Sequence, residues 1–120
     1  MTSRINTITI DAADPRVLAN FWSKLLDYRV TYDSSDQVII EAHDEAGPAV
    51  LFIETPDTKR GKNRVHLDLN PDDQQAEVER ALGLGARAVD IGQDAGPDAT
   101  WKVLADPEGN EFCILTPRKD

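Results

Sequence analysis

A single cysteine, Cys113, occurs in the 120 residues. That scarcity excludes an internal disulfide and any zinc site built from cysteine pairs. No stretch approaches the roughly 20 consecutive apolar residues of a membrane-spanning helix, so no membrane partner is expected. The opening "MTSRINTITIDAAD" also lacks the apolar run of a secretory signal. Together with the lone thiol, this predicts a reducing, cytoplasmic setting. Basic residues are in short supply as well: 13 Lys+Arg stand against 22 Asp+Glu, for a formal net charge of -9. Such a balance repels phosphate backbones and anionic lipid, and nucleic acid is not an expected partner. Neither a phosphate-binding glycine loop nor a G-x-S-x-G elbow is present.

What the chain does contain is one pattern written twice. "INTITID" alternates Ile5, Ile8 and Ile10 with polar neighbours, as a strand does. "DPRVLANFWSKLLDY" then changes period to that of a helix. Asp14 suits its N-cap, Pro15 its first position, and Val17, Leu18, Phe21, Trp22 and Leu25 form an apolar face. Phe21 and Trp22 are adjacent, so one can pack on the sheet while the other reaches a module boundary or partner chain, and core or interface packing is expected of them. Three strand-like runs follow, near Tyr28 to Tyr32, Val38 to Ala42 and Ala49 to Ile53, separated by the turn sequences "DSSDQ" and "DEAGP".

The order repeats after the polar linker "TPDTKRGKN". "RVHLDLN" reads as a strand, with Val65, Leu67 and Leu69 on one side and His66 and Asp68 on the other. "PDDQQAEVERALGLG" reads as a helix with Val78, Ala81 and Leu82 inward and Gly85 at its C-terminal cap. Strand-like runs near Ala86 to Ile91, Thr100 to Leu104 and Glu111 to Leu115 complete it. Laying Asp73 on Asp14 also lays Leu84 on Leu25 and Val89 on Val30, the mark of an internal repeat. The predicted fold is α+β: two tandem βαβββ modules within a single domain over 1–120. Module one covers about 1–55, the linker about 56–63 and module two about 64–120.

These modules, Asp14 followed by the pair "FW", "RVHLDL" opening the second module and "DPEGNEF" before the last strand together resemble the vicinal oxygen chelate superfamily. That is the group of glyoxalase I, the bleomycin-resistance proteins and the extradiol dioxygenases, and the likeness is greatest to its small glyoxalase-like domains. The resemblance implies a cupped mixed sheet with helices outside and metal ligands directed inward from the first and last strands of each module. His66 matches one such ligand. Its mate in the first module is Thr7, and the positions on the last strands fall on Cys113 and Leu51. A hydroxyl, a thiol and an alkyl group replace the imidazole and carboxylate donors that such a centre would use. Glu54 lies near Leu51, but alternation turns it to the face of Val50 and Phe52.

The expectation is therefore a small-molecule binding protein that sequesters or presents its ligand, with no cofactor at the ancestral site. Candidate lining residues are Thr7, Thr9, Leu51, Arg64, His66, Asp68, Trp101 and Cys113. Trp101 would stack on a ligand ring at the cup mouth, and Arg64, within the basic run "KRGKNR", would attract an anionic one. The alternative is a metal-dependent lyase, isomerase or dioxygenase using His66 with Asp68 or Glu111, in which His66 and Glu111 carry the catalysis. A Cys113–His66 nucleophilic pair is a third arrangement, which the strand adjacency implied by the resemblance would permit. The resemblance further implies a homodimer.

Overall fold

The computed structural model describes residues 2–56, 61, 63–89 and 101–117, with the backbone alone at Trp101. The chain divides into two compact units, Met1–Thr58 and Lys59–Asp120.

In the first unit the order is β1 (Thr7–Ala12), α1 (Pro15–Leu26), β2 (Tyr28–Asp33), β3 (Gln37–Ala42) and β4 (Ala49–Glu54). The sheet runs β1-β4-β3-β2. β1 and β4 are parallel, which their connection through α1 requires, whereas the short turns make β2, β3 and β4 antiparallel. Asp14 caps α1 as expected, its carboxylate accepting from the backbone N–H of Arg16 and Val17. The other end is closed by Asp27, which takes the left-handed conformation at φ 56 and donates its N–H to the carbonyl of Ser23.

One face of this sheet, carrying Val38, Ile40, Val50 and Phe52, is buried together with Leu18, Phe21, Trp22 and Leu25 of α1. Each of the larger side chains contributes about 2–3 kcal/mol by leaving water. Both Phe21 and Trp22 go inward, at 1% and 2% exposure, and their rings meet edge to face. The burial of both bears out their expected packing in the core, and the T-shaped contact lets neighbouring rings share it. Val17, assigned to the apolar face from its period, is 46% exposed because it sits at the edge of that face in the first turn.

The second unit repeats the plan with β5 (Leu67–Leu69), α2 (Gln74–Leu84), β6 (Arg87–Ala88), β7 (Trp101–Ala105) and β8 (Glu111–Leu115), in the sheet order β5-β8-β7-β6. β5 and β8 are parallel, and β8, β7 and β6 antiparallel. Asp73 caps α2 through the N–H of Ala76, and Gly85 closes it at φ 121, as its position predicted. Leu104, Phe112 and Ile114 form the core face. Of the three α2 residues expected inward, Ala81 is fully buried, Val78 half-buried and Leu82 42% exposed. The last expectation is corrected. The strand expected over Ala86 to Ile91 is described as two paired residues, and positions 90–100 lie outside the described residues.

The "DPEGN" sequence owes its form to Asp106, a carboxylate only 2% exposed. Its Oδ1 accepts from the backbone N–H of Glu108 at 2.9 Å and of Asn110 at 3.0 Å, while Asn110 Nδ2 donates to Oδ2 at 3.0 Å. A buried carboxylate that accepts several N–H groups folds the turn around itself and sets where β8 begins.

Candidate functional site

Strand register decides which side chains share the sheet face turned away from the core. In the first unit Thr9, Leu51 and Ile39 stand abreast across β1, β4 and β3. Thr7, two residues before Thr9, is on the same face and accepts a hydrogen bond from Asn6 Nδ2 at 2.8 Å. Thr7 and Leu51 are half-buried and Thr9 is exposed. Glu54 pairs with Ala12, on the opposite face from Leu51, and is exposed at the strand end, as alternation predicted.

The row extends to a residue that sequence alternation misses. β2 contains a bulge: Val30 pairs with Ile40, yet Tyr32 pairs with Ile39, leaving Thr31 as the extra residue. The bulge moves Tyr32 onto the face of Ile39 and Leu51. Asp33 is turned to the core face, where it meets Arg16 of α1 at 3.1 Å. The result is an apolar strip of Leu51, Ile39 and Tyr32 bordered by the hydroxyls of Thr7 and Thr9. Aliphatic and aromatic surface with a few polar groups is the usual lining of a small-molecule site.

In the second unit Asp68, Cys113 and Val103 are abreast across β5, β8 and β7, and Glu111 pairs with Ala105 on the same face. Asp68 is exposed. Cys113 and Glu111 are buried, at 8% and 6% exposure. Trp101 pairs with Leu115, which puts it in register with that face; its side chain lies outside the described residues. Arg64 is exposed in the segment before β5, and the rest of the basic run, Lys59, Arg60 and Lys62, lies outside the described residues.

His66 is not on a strand. β5 begins only at Leu67, and Val65, expected on its core side, is 74% exposed. This corrects the expected placement, and the cause is a tie to a residue distant in sequence. Asn63 ties the incoming chain to β8 before pairing with that strand can begin: its backbone N–H donates to Glu111 Oε1 at 3.0 Å, and its Nδ2 donates to the Glu111 carbonyl at 3.3 Å. The half-buried His66 ring turns back on the same residue, with Nε2 3.2 Å from the Asn63 carbonyl oxygen. Nε2 is thus engaged with Asn63. Among the described residues, no three His, Cys, Asp or Glu side chains gather so as to hold a metal ion, His66, Asp68 and Glu111 included. Asn63 is the second participant missed from sequence, where it reads as one more polar linker residue.

A separate recess of about 340 Å³ opens at the start of α2, lined by Asn70, Pro71, Asp72, Asp73, Ala76, Glu77 and Arg80. None of the residues singled out for binding borders it. Arg80 is held to Glu77 at 3.1 Å and Asp73 is occupied as the helix cap, so the recess reads as ordinary polar surface around a helix end.

Paired βαβββ modules define the class of protein, an α+β protein of the glyoxalase fold. A family model described as "Glyoxalase-like domain" matches residues 7–115, and the chain belongs to that family. Similar solved structures include a glyoxalase-related enzyme from Fulvimarina pelagi, at 15% identity and TM-score 0.72, covering 96% of this chain and 88% of the other. A glyoxalase/bleomycin resistance protein/dioxygenase family enzyme from Burkholderia phytofirmans PsJN matches at 16% identity and TM-score 0.72, covering 97% and 100% of the two chains. A glyoxalase/bleomycin resistance protein from Albidiferax ferrireducens T118 matches at 15% identity and TM-score 0.65, covering 95% and 98%. Identities this low establish the fold and leave the chemistry to the residues. No curated protein matches the chain in sequence. Among the described residues, no helix is long and apolar enough to cross a membrane.

Proposed function

We propose that this glyoxalase-like protein binds a small organic molecule without a metal, and sequesters or presents it. The observation that carries the reading is the donor set at the four positions where the superfamily resemblance puts metal ligands. Thr7 offers a hydroxyl that already accepts from Asn6, Leu51 offers nothing, and Cys113 is a buried thiol. His66, with its Nε2 engaged by a backbone carbonyl, could offer a metal only Nδ1, one donor by itself. Catalytic centres commonly use about three protein ligands and leave one position open, and this set does not fit such a centre. The lining fits an organic ligand better: on one sheet face of the first unit Leu51, Ile39 and Tyr32 supply apolar and aromatic contact, and Thr7 and Thr9 hydroxyls.

The same reading makes the protein a cytoplasmic homodimer, supported by the lone cysteine and the superfamily resemblance. The metal-dependent alternative would recruit Asp68 or Glu111 beside His66. Glu111 would have to serve through Oε2, because Oε1 already accepts from Asn63.

Elemental analysis of the purified protein, before and after incubation with Zn²⁺, Ni²⁺, Fe²⁺ and Mn²⁺ and desalting, tests the proposal. The expected result is metal well below one ion per chain, with no change in His66→Ala. Stoichiometric metal that disappears in His66→Ala would overturn it.

A further inference from the structure

A carbonyl oxygen only accepts hydrogen bonds, so in the 3.2 Å contact between His66 Nε2 and the Asn63 carbonyl the ring nitrogen is the donor. A neutral imidazole carries one N–H. The contact therefore selects the tautomer protonated at Nε2 and leaves the acceptor lone pair on Nδ1.

Asn63 is in turn held from β8. Its own N–H reaches Glu111 Oε1 at 3.0 Å and its Nδ2 reaches the Glu111 carbonyl at 3.3 Å. Glu111 is 6% exposed, and a buried carboxylate bonded to an N–H is a strong anchor, because losing the bond would leave a charge in a poor environment. The two bonds fix the segment from which the Asn63 carbonyl projects. That carbonyl fixes the ring.

The geometry points to a positioning relay, Glu111–Asn63–His66, which holds His66 as the Nε2–H tautomer and presents Nδ1 as a hydrogen-bond acceptor. Glu111 acts through Asn63 and is a positioning residue rather than an acid or base. The ligand group suited to this ring is a donor, a hydroxyl or an N–H. A ligand carbonyl, carboxylate or phosphate oxygen would find no proton at Nδ1, and a metal ion at Nε2 would have to displace the Asn63 contact. The choice of ligand group rests on the small-molecule reading above, whereas the tautomer and the relay do not depend on it.

Long-range ¹H–¹⁵N correlation spectra of the ligand-free, ¹⁵N-labelled full chain at about pH 8.5, where an ordinary imidazole is neutral, distinguish the two ring nitrogens. The expected pattern for His66 is protonated Nε2 and bare Nδ1, unchanged in Glu111→Gln, whose amide oxygen still accepts from Asn63. Glu111→Ala should shift His66 toward a mixture of both tautomers. If that variant fails to fold, Asn63→Ala, which removes the side-chain half of the clamp, is read in the same way. Zn²⁺ added to the wild-type chain should leave the Nε2–H pattern in place. A wild-type ring protonated at Nδ1, a clamp variant indistinguishable from wild type, or Zn²⁺ replacing the Nε2 proton would each overturn the relay. Failure of the small-molecule reading looks different: retained metal in the elemental analysis with the His66 tautomer unchanged.

Discussion

Asp106 Oδ1 accepts the backbone N–H of Asn110 at 3.0 Å, closing the "DPEGN" turn from inside. The same oxygen accepts from Glu108, and both carboxylate oxygens receive Asn110 Nδ2. The most recognisable sequence signature of the chain is thus structural. It starts β8, and only through β8 does it bear on Glu111 and Cys113.

Asp106→Ala should therefore destabilise the fold substantially, because a buried acceptor of several N–H groups is lost and its donors are stranded. A loss of about 2–4 kcal/mol is expected from hydrogen bonds to a charged group and the unsatisfied partners left behind. Urea unfolding followed by far-UV circular dichroism measures it. A midpoint equal to wild type would contradict the role assigned to the turn.

Phe21→Ala should cost roughly 3–5 kcal/mol, the range for truncating a fully buried aromatic ring. Since Trp22 packs edge to face on Phe21 at 5.3 Å between ring centroids, its fluorescence should also change. Val17→Ala, at the exposed margin of the same helix, should cost less than about 1 kcal/mol. Equal penalties at the two positions would mean that α1 is seated differently.

Gly85→Ala should destabilise even though the added methyl meets nothing closer than ordinary contact, Pro107 Cγ at 3.6 Å. The cost arises in the backbone, because φ 121 is a conformation that a residue with a Cβ seldom adopts. About 1 kcal/mol or more is expected. Thermal unfolding of this variant beside Gly83→Ala, a glycine inside α2 without that constraint, provides the control. The helical site should tolerate or gain from alanine.

Cys113, at 8% exposure, should react with an aromatic disulfide reagent far more slowly in the native protein than in urea. Labelling at the denatured rate would place the thiol in contact with water and reopen its use as a nucleophile. Cys113→Ser should leave the circular dichroism spectrum intact while lowering stability by about 1–3 kcal/mol, because it puts a hydroxyl where a weakly polar thiol was buried.

Sedimentation velocity at several concentrations should show one species of twice the chain mass. A monomer at all concentrations would remove the homodimer from the proposed function without touching the binding site.

Much of the architecture could be read from the amino-acid order, because its signals are local. Asp14–Pro15 and Asp73 start helices through side-chain bonds to residues two or three positions away, and Gly85 ends one through its own backbone freedom. Alternation separated Thr7, Thr9 and Leu51 from Val50 and Phe52, and Asp68 and Cys113 from Phe112 and Ile114. The repeat and the closing turn were enough to point to the superfamily.

What could not be read this way depends on partners distant in sequence. The bulge that carries Tyr32 to the face of Leu51 exists only as a register between β2 and β3. His66 leaves the strand pattern because Asn63 is bonded to Glu111, far along the chain, and a periodicity within "RVHLDL" holds no trace of that bond. The exposure of Leu82 follows from how α2 lies on its own sheet. Local preference specified the elements, the repeat and the turn chemistry; non-local hydrogen bonds and sheet register chose which side chains face away from the core and where the segment bearing His66 is held.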